Sequence, residues 1–256
     1  MAETSSKPAD LSSIPKISVE RVALSYAGLP LFSDLNFALE PGRWTCLLGP
    51  SGVGKSSLLR VIAGLAPLER GSVRCSDGGT LAGRLAWMGQ RDSLLPWLSA
   101  EDNVLLGSKL RGQVPDRQRA RQRLDDVGIG AQAAQLPATL SGGQRQRAAL
   151  ARTLMEDRPV VLMDEPFSSL DAITRTRLQD VAARLLRKKT VLLVTHDPLE
   201  ALRLGHRIHV MAGRPAAVEP ALVPDGEPPR ALDDQHLLSL QADLLARLAD
   251  AKDLAV

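Results

Sequence analysis

The chain has 256 residues, 44% of them hydrophobic, which is enough for one large α/β domain or for a domain with a subdomain. Its 32 basic and 29 acidic side chains give a net charge of +3, which is too balanced to indicate a nucleic-acid partner. Aromatic residues make up only 3%, which argues against the stacking platforms that bind single-stranded nucleic acid.

Residues 1–16 are polar and show no signal peptide, so they are predicted to form a flexible tail. No uncharged apolar run in the chain approaches the about 20 residues that a membrane helix needs. We therefore expect that the chain does not cross a membrane itself. From residue 17 to 48 apolar and polar positions alternate between turn signals at Leu29-Pro30 and Pro41-Gly42, which predicts antiparallel strands.

The stretch GPSGVGKSS lies between the apolar run Trp44–Leu48 and a helix predicted over about residues 55–65. Its spacing, G-x-x-x-x-G-K-[ST], is typical of a loop whose glycines let backbone N–H groups and a helix N-terminus point at a phosphate. Lys55 is predicted to reach the β- and γ-phosphates of a nucleotide, and the Ser56 hydroxyl to hold Mg²⁺. The candidate loop consists of Gly49, Pro50, Ser51, Gly52, Val53, Gly54, Lys55, Ser56 and Ser57.

After two short strands, at 71–74 and 84–88, the pattern becomes helical from about residue 92 to 158. The stretch 117–127 is charged and helix-like, and 148–155 is also predicted to be helical. We interpret this region as a helical subdomain inserted into an α/β core.

Two continuous apolar runs, 160–163 and 191–194, are typical of central strands in a parallel sheet, and a helix over about 172–187 joins them. Asp164 and Glu165 follow the first run, at the end of a strand where α/β sheets bind ligands. Asp164 is predicted to face the Mg²⁺, and Glu165 to accept a proton from an attacking water.

The stretch LSGGQRQR predicts a second anion-binding helix start, with Ser141 as N-cap and exposed backbone at Gly142 and Gly143. One nucleotide site does not need two such starts, so this surface is predicted to close over the nucleotide of another copy. The alternative, an ordinary capped helix, would not need two glycines.

The C-terminal region, residues 213–256, is rich in proline and ends in an amphipathic helix. Its predicted apolar face consists of Leu237, Leu240, Leu244, Leu245 and Leu248. We expect this helix to pack on its own domain, and the alternative is a partner site.

Together these motifs resemble those of the ATP-binding subunit of ABC transporters, over about residues 17–212. GPSGVGKS resembles the family's Walker A loop, VVLMDEP its Walker B motif and LSGGQ its signature. Gln90 is similar to the Q-loop glutamine, Asp171 to the D-loop aspartate, His196 to the switch histidine and Tyr26 to the aromatic residue that stacks on adenine.

The resemblance implies an α/β fold: a P-loop NTPase core with a mostly parallel sheet, an N-terminal antiparallel β-subdomain and an inserted α-helical subdomain. Residues 17–212 would form the nucleotide-binding domain, and residues 213–256 a Pro-rich segment and a C-terminal helix. The resemblance also implies an ATPase that uses ATP and Mg²⁺. The implied catalytic residues are Glu165, His196, Gln90 and Lys55, the metal ligands Ser56, Gln90 and Asp164, and the further ATP contacts Tyr26, the phosphate loop, Ser141, Gly142, Gly143, Gln144 and Asp171.

The partners implied are a second copy in an ATP sandwich dimer, transmembrane permease subunits and, indirectly, a periplasmic or extracellular solute-binding protein, with no nucleic acid. The protein would lie peripherally on the cytoplasmic face of the inner membrane. Leu94, Leu95 and Trp97 form an apolar loop after Gln90, which suits a groove for a permease helix or, alternatively, local packing.

Two segments, LLPWLSAEDNV and MAGRPAAVEPALVPDGEPPR, resemble the nitrate/sulfonate/taurine importer group, which includes carriers for thiamine-precursor pyrimidines. The solute contacts the binding protein and the permease, so the sequence of this chain does not identify the solute. The alternative is a soluble ABC-type ATPase that acts on nucleic acid or ribosomes. Such members carry a coiled-coil or zinc insertion or a second cassette, and this sequence shows none of these.

Overall fold

The computed structural model describes residues 14–253, so most of the predicted N-terminal tail lies outside the described residues. The strands of this range are β1 (Ile17–Tyr26), β2 (Leu29–Leu39), β3 (Trp44–Leu48), β4 (Arg70–Cys75), β5 (Leu85–Met88), β6 (Val160–Asp164), β7 (Thr190–Val194), β8 (Arg207–Ala212) and β9 (Ala217–Val218). Its helices are α1 (Lys55–Ile62), α2 (Ala100–Val104), α3 (Leu106–Leu110), α4 (Arg117–Asp126), α5 (Gly142–Met155), α6 (Ala172–Leu185), α7 (Pro198–Leu204) and α8 (Gln235–Asp253). Within the described range, none of these helices combines the length and apolar character that a membrane span requires.

The first sheet is antiparallel and has the strand order β2-β1-β4. Ile17 pairs with Leu39 and Val19 with Phe37, and all four side chains are buried. The predicted antiparallel strands are confirmed for β1 and β2. The prediction was wrong for β3, which belongs to the second sheet because its five consecutive buried residues suit a strand covered on both faces.

The second sheet has six strands in the order β5-β6-β7-β3-β8-β9. β3 runs parallel to both of its neighbours, and Leu47 pairs with Val194 of β7 and with His209 of β8. β9 lies antiparallel at the edge. This confirms the predicted α/β fold with a mostly parallel sheet. Because β3 and β7 are parallel, the loops that follow them leave the sheet at the same, carboxyl, edge.

The described residues form two compact units, one of residues 14–85, 158–162 and 188–253, the other of residues 86–157 and 163–187. The first contains the antiparallel sheet, α1, α7 and α8. The second is largely helical, with α2 and α4 packed against α5. The predicted domain bounds stay a prediction.

The C-terminal helix α8 packs against α7 and β8 in the first unit, as expected for a helix that belongs to its own domain. Its buried residues are Leu237, Leu244 and Ala251, which recur every seven positions. Leu245 was predicted on the same face but is 52% exposed. It adjoins Leu244, and neighbouring residues of a helix lie about 100° apart around the axis.

Arg230, in the Pro-rich segment after β9, holds the end of α7 with a buried guanidinium group. Its Nη1 donates to the carbonyls of Leu202 and Gly205 at 2.7 and 2.8 Å, and its backbone N–H donates to the Arg203 carbonyl at 3.0 Å. The remaining guanidinium N–H groups donate to the carbonyls of Pro224, Asp225 and Gly226. Since the last carbonyls of a helix have no partner inside it, Arg230 supplies a C-terminal cap for α7.

Replacing Arg230 by methionine should lower the free energy of unfolding by about 2–4 kcal/mol. Five carbonyls lose a charged donor, while a side chain of similar length still fills the space. Urea unfolding measures the change. The control is Arg70→Met, because Arg70 is exposed and donates one hydrogen bond to the Ser33 carbonyl. Equal losses in the two variants would contradict the capping role.

Candidate nucleotide-binding site

The loop between β3 and α1 has a backbone that only glycine accommodates at two points. Gly49 and Gly54 have φ angles of 150° and 112°. A Cβ on Gly49 would come within 2.5 Å of the Met211 carbonyl oxygen, and one on Gly54 within 2.8 Å of the Phe32 ring. Gly52, at φ 81°, also lies in the left-handed region. The glycines therefore let the loop turn tightly into the start of α1.

Lys55 lies over this loop, and α1 begins without a capping side chain. The Lys55 Nζ donates to the carbonyls of Gly49 and Pro50 at 2.7 and 2.9 Å, and the side chain is only 7% exposed. Gly54 occupies the N-cap position, and the first turn of α1 has no acidic residue. A phosphate fits this arrangement, because the first N–H groups and the positive end of the helix dipole are not matched to an acidic side chain.

His196 lies at the same edge of the sheet as the phosphate loop. The Thr195 N–H donates to the Leu47 carbonyl at 3.2 Å, so His196 leaves β7 next to the strand that leads into Gly49. His196 is exposed, and Asp197 after it caps α7 by accepting a hydrogen bond from the N–H of its third residue, Glu200, and its second, Leu199. The same unit contains Tyr26, whose side chain is 81% exposed at the end of β1.

In the other unit, Asp164 and Glu165 follow the end of β6. Asp164 is 5% exposed, and Glu165 is half-buried. Glu165 has a φ angle of 50°, which is rare for a residue with a Cβ and costs about 1–3 kcal/mol. Such a conformation persists only where the surrounding structure holds it.

Gln146 of α5 is a contact of this turn that the sequence did not suggest. Its Nε2 donates to the Glu165 carbonyl at 3.1 Å, and its Oε1 accepts hydrogen bonds from the N–H and Oγ of Ser169. A polar residue on the buried face of α5, whose other buried residues are nearly all apolar, was the signal that could have indicated it.

The start of α5 has the predicted cap. The Ser141 Oγ accepts a hydrogen bond from the Gln144 N–H at 3.2 Å, and the Ser141 N–H donates to Gln144 Oε1 at 2.8 Å. Ser141 and Gly142 are exposed, and a Cβ on Gly143 would lie 3.4 Å from the Leu170 side chain. Asp171 caps α6, because its carboxylate accepts a hydrogen bond from the Thr174 N–H. This hydrogen bond lowers the pKa of the Asp171 carboxyl group.

Gln90 is exposed just after β5, and the loop that follows it is well held. The Asn103 amide donates to the carbonyls of Leu95, Leu98 and Ser99 and accepts a hydrogen bond from the Leu95 N–H. Leu94 is 9% exposed, whereas Trp97 is 71% exposed. Of the predicted apolar loop, Leu94 therefore packs internally and Trp97 faces outward.

Residues 32–168, which include the phosphate loop, the start of α5, Asp164 and Glu165, match the model of the ABC transporter family. The chain belongs to the ABC transporter family. This ABC subunit is an ATP-binding protein with ATPase activity, and its fold is that of the family's nucleotide-binding cassettes.

Two relatives match this ABC subunit over most of its length. It is 45% identical over 237 residues to an "Uncharacterized ABC transporter ATP-binding protein" of Haemophilus influenzae, covering 91% of this chain and 98% of the relative. It is 44% identical over 226 residues to "Aliphatic sulfonates import ATP-binding protein SsuB 2" of Burkholderia cenocepacia, covering 86% and 82%.

A solved structure, the dimeric post-hydrolysis state of the ATP-binding cassette MJ0796 bound to ADP and Pi, is similar to this ABC subunit with a TM-score of 0.74 at 29% identity. The match covers 82% of this chain and 99% of that one.

Proposed function

We propose that this chain is the energy-coupling ATPase subunit of an importer for a small sulfonate-like solute. The observation that carries the ATPase chemistry is the phosphate loop, with glycines at positive φ, a buried lysine over the loop and an α1 N-terminus whose cap is a glycine. These features fit the phosphates of ATP.

In this proposal Lys55 binds the β- and γ-phosphates, and Mg²⁺ is held by Ser56, Gln90 and Asp164. Bound Mg²⁺ would neutralise charge on the phosphates. Glu165 accepts the proton of the attacking water. His196 is a further catalytic residue and lies beside the γ-phosphate. Tyr26 supports the adenine by stacking, which its exposure permits.

We further propose that two copies close on two ATP molecules, each held between one copy's phosphate loop and the residues Ser141 to Gln144 and Asp171 of the other. The dimeric state of the cassette MJ0796 supports this assembly. The capped start of α5, with Ser141 and Gly142 exposed, offers the second surface. Permease subunits would hold the dimer at the cytoplasmic face of the inner membrane, with a solute-binding protein as an indirect partner.

The solute class rests on the relative named for aliphatic sulfonates import, at 44% identity. Uptake of labelled alkanesulfonate, nitrate and a thiamine-precursor pyrimidine should be compared in a deletion strain that carries the wild-type gene or the Glu165→Gln variant. We expect only the wild type to restore uptake, and only of the sulfonate. Restoration of nitrate or pyrimidine uptake instead would overturn the solute class. A soluble ATPase acting on nucleic acid or ribosomes is not favoured, since both relatives carry transporter names.

Trp97 is the proposed permease contact, because the Asn103 amide fixes its loop while the indole side chain stays 71% exposed. Trp97→Asp should leave the melting temperature and the ATPase activity of the isolated subunit unchanged. It should prevent co-purification with the permease and abolish solute uptake, because it places a charge in an apolar interface. Leu94→Asp is the contrasting variant, and it should lower the melting temperature because Leu94 is buried. A stable Trp97→Asp protein that still transports would end the interface proposal.

A further inference from the structure

We propose that Gln146 is a positioning residue that holds Glu165 in its catalytic orientation. The inference rests on the proposed role of Glu165 as the base for the attacking water. Neither the sequence motifs nor the proposed chemistry assigns a role to Gln146.

The turn that carries Glu165 needs an external support. Its φ angle of 50° is unfavourable for a residue with a Cβ, so contacts from neighbouring elements must hold it there. Donors from two residues reach the Glu165 carbonyl oxygen: the Ser168 N–H at 3.4 Å and Oγ at 3.1 Å, from the same turn, and Gln146 Nε2 at 3.1 Å, from α5. Of these two residues, only Gln146 ties the turn to a separate element.

The other end of the same amide binds the same segment. Gln146 Oε1 accepts hydrogen bonds from the N–H and Oγ of Ser169, so one side chain spans residues 165 to 169. The side chain is 8% exposed. A buried amide whose donor and acceptor are both engaged by one turn fixes the direction of that turn more strictly than an apolar side chain of equal size.

The position of Gln146 on α5 also places it near the start of that helix. Gln146 lies five positions after Ser141, where α5 presents the surface proposed to close on the other copy's ATP. The helix is hydrogen-bonded through this stretch, including from the Arg145 N–H to the Ser141 carbonyl at 2.9 Å. One short segment of helix thus carries a contact to each of the two proposed ATP sites.

The test uses Gln146→Met, which keeps the length of the side chain and removes the amide. We expect kcat to fall about 10–100-fold while the KM for ATP and ATP-driven dimerisation stay at wild-type values, because displacement of a reacting group by about 1 Å can cost 10²-fold. In the nucleotide-free protein, the Ser169 amide should exchange its hydrogen faster. The matched control is Thr153→Val, which removes a buried hydroxyl from the same helix; the Thr153 Oγ1 donates only to the Ala149 carbonyl. This variant should change neither kcat nor the exchange rate of the Ser169 amide.

A double-mutant cycle separates positioning from general support. In a Glu165→Gln background, measured by single-turnover hydrolysis, Gln146→Met should have less than about a 2-fold further effect, because the group that it positions is already absent. An equal loss in both backgrounds, or wild-type kcat in folded Gln146→Met, overturns the inference and leaves the role of Glu165 intact. Wild-type turnover in Glu165→Gln alone overturns both. If Gln146→Met does not fold, Gln146→Asn, which is one methylene too short to span the turn, replaces it with the same expectations.

Discussion

Glu165→Gln is expected to hydrolyse ATP about 10²–10⁴-fold more slowly than the wild type while binding it normally. The change keeps the shape of the side chain and removes its ability to take a proton from water. Lys55 and the α1 N-terminus, which are proposed to bind the phosphates, are left unchanged. Because hydrolysis would no longer release the two copies, the variant should accumulate as an ATP-bound dimer, which size-exclusion chromatography with light scattering detects.

Glu156→Gln is the matched control for this variant. Glu156 lies at the end of α5 in the same unit, and its carboxylate accepts a hydrogen bond from Arg111 Nη1 at 2.6 Å. It has no proposed part in the reaction, so its loss should leave turnover within about 2-fold. Turnover at the wild-type level in Glu165→Gln would remove Glu165 from the mechanism, whatever the dimer does.

The phosphate loop could be predicted from the sequence because its requirements are local. Gly49 and Gly54 are required by the positive φ angles of the loop itself, and Lys55 reaches back only six and five residues to the carbonyls that it contacts. The central strands β6 and β7 were equally visible, since continuous apolar runs are typical of strands buried on both faces.

What the sequence did not show depends on contacts between distant segments. Gln146 lies 19 residues before Glu165, and nothing in the local pattern indicates that its amide reaches that carbonyl. Apolar character alone also did not distinguish Leu94, which is buried, from Trp97, which is exposed. The role of Arg230 could not be predicted either, because its guanidinium group donates to backbone carbonyls, and every residue has a backbone carbonyl.

Ser141→Arg is expected to lower ATPase activity by about 10²-fold or more, because it blocks the ATP site of the other copy. Ser141 is exposed at the start of α5, where an arginine would obstruct the surface proposed to close on the partner's ATP. The substitution also removes the hydrogen bond from the Gln144 N–H to the Ser141 Oγ. Ser141→Ala separates the two effects, because it loses the same cap, worth about 1 kcal/mol, without adding bulk. It should keep more activity than Ser141→Arg at equal folded concentration.

Mixing Ser141→Arg with Lys55→Ala tests whether the sites are shared between copies. Each variant alone should be inactive, since Lys55→Ala leaves the β- and γ-phosphates without their cation in both sites. In a mixed dimer one site carries both defects, and the other combines an intact phosphate loop from the Ser141→Arg copy with an intact Ser141 from the Lys55→Ala copy. Random pairing of equal amounts would make half of the dimers mixed, so activity should peak at equal proportions and reach about a quarter of the wild-type value if the sites act independently. If each copy instead hydrolysed ATP alone, every polypeptide in the mixture would contain a defect, and no proportion would restore turnover.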